Sequence, residues 1–205
     1  VPRTGRGMYA LDSYQTLRKD FGSATACTEL YFGFAMNVPS LSTSRFLSVY
    51  TDDPSVYGNY MYLQLSAEGR VCLCRTNSVL LAQSAAGVIA ADTWHYFEVY
   101  AKPRNSGGVF TVKVDGVEVA TYSGDTTNEE EYINAWELSG VTGSSTTIRP
   151  TLFDDIVCND TTGSTNNSWP GMVRLLPLRA RTPGNYGQWD RAGMDLGNDA
   201  AQMLA

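Results

Sequence analysis

His95 is the only histidine in the chain, so a multi-histidine metal cage is excluded at the outset, and a Ser-His-Asp relay or a Cys-His pair would have to run through this one residue. Beside Trp94 at the start of an alternating segment, it reads as a structural, partly exposed imidazole. Glycoside hydrolysis needs a pair of carboxyl groups flanking the scissile bond, and an E-x-D-x-x-E spacing along one strand is one way to bring them together. No such spacing occurs. Glu129, Glu130 and Glu131 are consecutive, in an expected turn, and Asp154 and Asp155 are adjacent strand positions that should point to opposite faces. An inward Asp must be satisfied by backbone N–H groups or a cation, so this pair is expected to pin neighbouring loops. No catalytic residue is assigned, and the chain is not expected to be an enzyme.

Oxygen donors for calcium are present at Asp52, Asp53, Asp154, Asp155, Asp160, Asn166 and Asn167, yet no contiguous loop ligand pattern joins them. The expectation is therefore no cofactor and no metal, with Asp154, Asp155 and Asp160 the only carboxylates worth testing against calcium. Aromatic residues offer a different chemistry. Flat rings on a strand face can stack on sugars, and Trp94, Tyr96 and Trp136 are the candidate glycan platform, with Tyr57, Tyr60, Tyr62 and Tyr100 nearby in type. The four cysteines are too few for a disulfide framework in a chain of 205 residues. Cys72 and Cys74 would sit nearly 7 Å apart along one strand face, which disfavours a bridge between them.

The elements that must position these groups are strands. Residues 27–38 alternate Leu30, Phe32, Phe34 and Met36 against Tyr31, Gly33 and Ala35, and residues 45–51 repeat the pattern. Residues 60–65 and 70–74 form a hairpin through Ala67-Glu68-Gly69. In WHYFEVYAK, Phe97, Val99 and Ala101 oppose Trp94, Tyr96, Glu98 and Tyr100. In FTVKVDGVEVATY, Asp115-Gly116 is a two-residue hairpin turn, whose register sets Val114 opposite Val117, Val112 opposite Val119 and Lys113 opposite Glu118, valines inward. Residues 129–138 are read as a further strand, residues 153–158 as another, and residues 172–178 as the strand that follows it. Residues 199–205 suit a helical turn.

Turn signals every 8 to 12 residues, 19 glycines, 12 tyrosines and little helical periodicity predict an all-β fold: a two-sheet antiparallel jelly-roll sandwich with irregular terminal arms. The expected layout is an N-terminal arm or edge segment over residues 1–25, one β-sandwich over residues 26–190 and a tail over residues 191–205. A net charge of −6, with only 15 Lys and Arg, argues against nucleic acid as a partner. No apolar run approaches the roughly 20 residues a membrane-spanning helix needs, so no membrane partner is expected. A start at Val1, without Met, points to a processed product or a partial chain.

The segment FDDIVCNDTTGSTNNSWPGMVRLLPLRARTPGNYGQW carries a resemblance. Its Asp154, Asp155, Asp160, Gly163, Asn166, Asn167, Trp169, Gly171, Pro177 and Trp189 fall on a pattern that resembles the concanavalin A-like (laminin-G-like) jelly-roll domain of tailed-bacteriophage virion proteins. The Trp-aromatic strand at 94–102 followed by the V-x-V-D-G hairpin looks like the same domain, so the likeness covers roughly residues 94–189. Pro170 stands where a Leu is usual and Met172 where an Asp is usual, so any role of that Asp is absent. The resemblance implies a non-enzymatic structural or accessory protein of the virion, as a tail, fibre or head-decoration component. Its implied partners are other virion proteins and copies of itself. The alternative is a carbohydrate-binding module that recognises a host-surface glycan.

Overall fold

Strict alternation in LYFGFAMN and WHYFEVYAK makes one face of each strand aromatic and aliphatic, and such a face is stable only when a second layer covers it. The computed structural model describes residues 9–11, 15–22, 27–51, 60–126, 131–141, 149–161 and 163–174. By chain contacts the protein divides into two units, Val1–Leu175 and Leu176–Ala205, and every described residue belongs to the first.

Twelve strands appear among the described residues: β1 (Tyr9–Leu11), β2 (Thr16–Asp20), β3 (Leu30–Asn37), β4 (Ser44–Tyr50), β5 (Tyr60–Leu65), β6 (Val71–Arg75), β7 (Val79–Gln83), β8 (Trp94–Lys102), β9 (Gly108–Val114), β10 (Val117–Gly124), β11 (Ala135–Ser139) and β12 (Thr151–Asp160). They form two six-stranded sheets, the first in the order β1-β12-β3-β8-β9-β10 and the second in the order β2-β11-β4-β5-β6-β7. Every pairing is antiparallel. This is the expected all-β jelly-roll sandwich. The segment expected as an arm or first edge strand supplies two edge strands, β1 in the first sheet and β2 in the second.

Six phenylalanines, Phe32, Phe34, Phe46, Phe97, Phe110 and Phe153, are at most 1% exposed, and each such burial contributes about 1.5 to 3 kcal/mol before entropy is charged against it. Phe34 stacks on Phe97 with centroids 5.1 Å apart, and Phe46, from the opposite sheet, meets Phe97 edge-on at 5.3 Å. These rings join the two layers.

Four expectations change. In the β9–β10 hairpin, Val114 does face Val117 and Lys113 faces Glu118, but a bulge between Glu118 and Ala120 puts Ala120, not Val119, opposite Val112. Val117, in its expected register beside the turn, is 64% exposed and Val119 is only partly buried against the core, so the β9 valines Val112 and Val114 alone are fully inward as expected. Of the strand expected at 129–138, residues 129–130 lie outside the described residues and the strand begins at Ala135; among the residues described before it, Ile133 makes an isolated bridge to Cys27 and the Asn134 N–H donates to Tyr50 O. Residues 172–174 are not strand, and the rest of that expected element lies outside the described residues, as do Pro177, Trp189 and residues 199–205. Finally, Asp154 and Asp155 do not alternate simply across the sheet. A register shift between Asp154 and Val157, with Asp155 at φ 52°, lets both carboxylates sink below the surface, 7% and 2% exposed.

His95 is held from both sides. Its Nδ1–H donates to Asp115 Oδ2 at 2.7 Å, and its Nε2 accepts the Ala90 N–H at 3.1 Å, which fixes the neutral Nδ1–H tautomer. Asp115, at φ 52° beside Gly116 at φ 82°, also accepts the Tyr96 N–H on Oδ1 at 2.8 Å. The imidazole thus ties the β9–β10 turn to the start of β8.

Candidate functional site

On the first sheet, the residues facing away from the core are fixed by register. Tyr31 pairs with Tyr100, Gly33 with Glu98 and Ala35 with Tyr96 between β3 and β8; Lys113 and Thr111 follow on β9, and Val157 and Asn159 on β12. An outward sheet face should be wet, yet Ala35, Tyr96 and Glu98 are 0%, 1% and 4% exposed. The chain after β12 explains this, because residues 163–174 turn back as a strap across the face.

Four contacts dock the strap. The Gly171 N–H donates to Glu98 Oε1 at 2.9 Å. Pro170 sits against Gly33, where a built Cβ would lie 2.9 Å from Pro170 Cγ, 2.9 Å from Val157 Cγ1 and 2.5 Å from the Tyr96 hydroxyl. The Trp169 ring meets Tyr31 edge-on at 5.4 Å and Tyr100 at 6.2 Å, with Lys113 Nζ 3.8 Å from its centroid as a cation–π partner. Asn159 Nδ2–H reaches Ser168 O at 3.4 Å, and Asn167 Nδ2–H bonds Gly163 O inside the loop. Asn166, at φ 59°, takes one of its left-handed positions.

At the strap's margin the aromatic residues emerge. Tyr31 and Tyr100 stack at 4.6 Å and 20°, and with Trp169 they form a half-buried trio. Tyr100 donates its hydroxyl to Glu29 Oε2 at 2.8 Å, while Lys102 Nζ lies 3.0 Å from Glu29 Oε1. Burial alone would raise the Glu29 carboxyl, but the bonds from Tyr100 and Lys102 hold it below its ordinary value. Burial, with Glu29 beside it, pushes the Tyr100 phenol far up, so it remains a donor at any physiological pH.

Next to this trio, at the end of β12, is an open cavity of about 310 Å³ lined by Phe21, Cys27, Cys158, Asn159, Asp160, Thr165 and Asn166. Its size is at the lower end of small-ligand pockets. Burial, with Asp160 nearby, pushes the Cys27 thiol up to about 11, while Cys158 is exposed at the cavity and is raised in the same direction by its surroundings, with Cys27 and Asp160 beside it. Cys27 is therefore a neutral lining thiol, poor as a nucleophile or metal ligand. All four cysteines are free.

The expected platform is not assembled as a unit. Trp94 and Tyr96 share the outward face of β8, but Tyr96 lies beneath the strap. Trp136, with Leu138, points between the sheets, 7% exposed and 4.6 Å from Phe32, so it belongs to the core. Asp154 and Asp155 lie midway along β12 and Asp160 at its end, and among the described residues no three of His, Cys, Asp and Glu converge as a metal set. Of the motif residues, Gly163, Asn166, Asn167, Trp169 and Gly171 all belong to the strap. Tyr31, Glu29, Lys113 and Asn159 escaped the sequence reading; the signal for Tyr31 was its place on the polar side of an otherwise apolar strand.

No family model matches the chain, and no curated protein matches its sequence. Among solved structures, the alginate lyase vAL-1 from Chlorella virus superposes with a TM-score of 0.51 at 11% identity, over 65% of this chain and 71% of that one. The alginate lyase Aly36B superposes with a TM-score of 0.51 at 15% identity, over 74% of this chain and 78% of that one. At these identities the likeness shows the fold, a jelly-roll β-sandwich shared with proteins that act on carbohydrate.

Two outcomes test this geometry. Gly33→Ala should destabilise the protein by about 1 to 3 kcal/mol in urea unfolding and weaken its near-ultraviolet circular dichroism, because the strap must lift off Tyr31 and Tyr100; an unchanged midpoint and spectrum would contradict the docking. Glu29, with its folded value lowered, contributes stability that is complete above the ordinary Glu value of about 4.3 and is lost as pH falls through the lowered value. The difference in urea midpoint between wild type and Glu29→Gln should therefore be constant at neutral pH and vanish on acidification; a difference that persists at the acid end would contradict the assigned bonds.

Proposed function

We propose that this protein is a non-enzymatic carbohydrate-binding module whose ligand face is the Tyr31, Tyr100 and Trp169 trio with the adjoining cavity. The observation that carries the reading is the juxtaposition of three half-exposed rings with Glu29, Lys102, Lys113 and Asn159, a set that supplies both stacking surface and hydrogen-bond partners. Sugar rings need both, since their faces are apolar and their edges are hydroxyls. A glycan of a host-cell surface is the ligand class this serves. The two alginate lyases are by name proteins that handle a polysaccharide, which agrees in ligand class but adds no support at the level of residues.

A second reading, as a structural or accessory component of a tailed-phage virion, is favoured by the strap itself. Two residues that resemble the virion-protein pattern, Trp169 and Gly171, dock across the first sheet on either side of Pro170, which departs from it. On this reading the module assembles with other virion proteins and with copies of itself, and the two readings are compatible in an adhesive part of a particle.

On a glycan array, wild type should give a saturable signal that falls at least about tenfold, or 1.4 kcal/mol, in Trp169→Ala and in Tyr31→Ala. Absence of any saturable signal from wild type would remove the carbohydrate reading. Mass spectrometry of purified particles should find the chain in the virion, and its absence there would remove the second reading.

A further inference from the structure

The outward face of the second sheet carries a row of polar residues that no part of the carbohydrate reading uses. Arg18 on β2 faces Glu137 on β11, Glu137 faces Ser48 on β4, Ser48 faces Tyr62 on β5, and Tyr62 faces Cys74 on β6. Leu47 and Val49, on either side of Ser48, are in the core, so Ser48 points outward by alternation. It is nevertheless 0% exposed, and its hydroxyl has no hydrogen-bond partner.

Arg18 is similarly incomplete. Its Nε donates to Asp20 Oδ1 at 2.8 Å and its Nη1 lies 3.7 Å from Glu137 Oε2, but Nη2 is closed off from solvent without a partner. Glu137 is itself engaged, accepting the Tyr50 hydroxyl on Oε1 at 3.3 Å. Leaving a buried donor unpaired costs about 1 to 3 kcal/mol, and two on one line are not explained by the fold.

We propose that this row is a second saccharide site, on the opposite face of the sandwich from the Trp169 trio. Nη2 carries only donors and needs an acceptor oxygen, Ser48 Oγ can donate or accept, and the Glu137 and Asp20 carboxylates accept from hydroxyl groups. A ligand bearing several hydroxyls satisfies all of them. A phosphate or sulfate brings acceptors alone, whereas the hydroxyls of a sugar also donate to the two carboxylates. Arg18 and Ser48 stand two strands apart, about 9.5 Å between backbones, a span one sugar ring with its substituents bridges. Arg45, an exposed residue of β4, holds its guanidinium 5.6 Å from the Tyr62 ring at the end of the row. Sites on both faces would let one module link two glycan chains.

The test is an amide NMR titration of the full chain with D-glucose and with D-glucuronate. Either sugar should shift the amides of Arg18, Ser48, Tyr62 and Glu137, and Ser48→Ala and Arg18→Lys should each weaken that binding at least fivefold. Ser48→Ala should leave the urea midpoint unchanged or raised, since it deletes an unpaired buried hydroxyl. Trp169→Ala should leave these shifts in place, which separates this site from the first. The proposal is overturned if neither sugar moves the row, if Ser48→Ala binds as wild type does, or if Trp169→Ala abolishes the shifts.

Discussion

The absence of a side chain at position 33 is the constraint on which the outward face of the first sheet depends. Gly33 sits in the middle of β3, where a glycine weakens a strand, yet any Cβ there would collide with Pro170, Val157 and the Tyr96 hydroxyl. The gap admits Pro170, and with it the strap. Once Pro170 is seated, Trp169 falls beside Tyr31 and Tyr100, and the Gly171 N–H reaches Glu98, a carboxylate buried in the middle of a sheet face. That bond and the enclosure of Glu98 depend on one another, because a buried carboxylate without donors would be costly.

The two faces of the sandwich therefore differ in kind. The first is sealed at its centre by the strap and presents rings at the margin, where the 310 Å³ cavity adjoins them. The second carries stacked Arg–Tyr pairs, Arg18 over Tyr50 at 4.7 Å and Arg45 over Tyr62, with burial and the Glu137 carboxylate pushing the Tyr50 phenol up. Between them lies a core of phenylalanine from both sheets that fixes their separation, so that each face can be specialised without moving the other.

Most strands were legible because alternation is a local signal: Phe32, Phe34 and Met36, or Phe97, Val99 and Ala101, declare an inward face by themselves. What alternation cannot declare is a bulge. The extra residue at Val119 and the left-handed Asp155 each shift parity; the first sits where the residue types looked regular, and at the second the adjacent carboxylates marked an oddity without revealing the bulge. Trp136 was misread for a related reason. Its parity partner Leu138 was the available sign that it points inward, whereas an isolated aromatic residue says nothing of face. The strap was visible only as a pattern of turn formers, because its docking rests on contacts with β3, β8 and β9 made far away in sequence.

Amide hydrogen exchange at Gly171 tests the central claim most directly, since its N–H is tied to Glu98 through the strap. Protection comparable to that of the β3 and β8 amides, falling in a Glu98→Gln variant, is the result this account predicts. Exchange at the rate of an unstructured loop would mean that the strap does not lie on the sheet, and the aromatic site would lose its foundation.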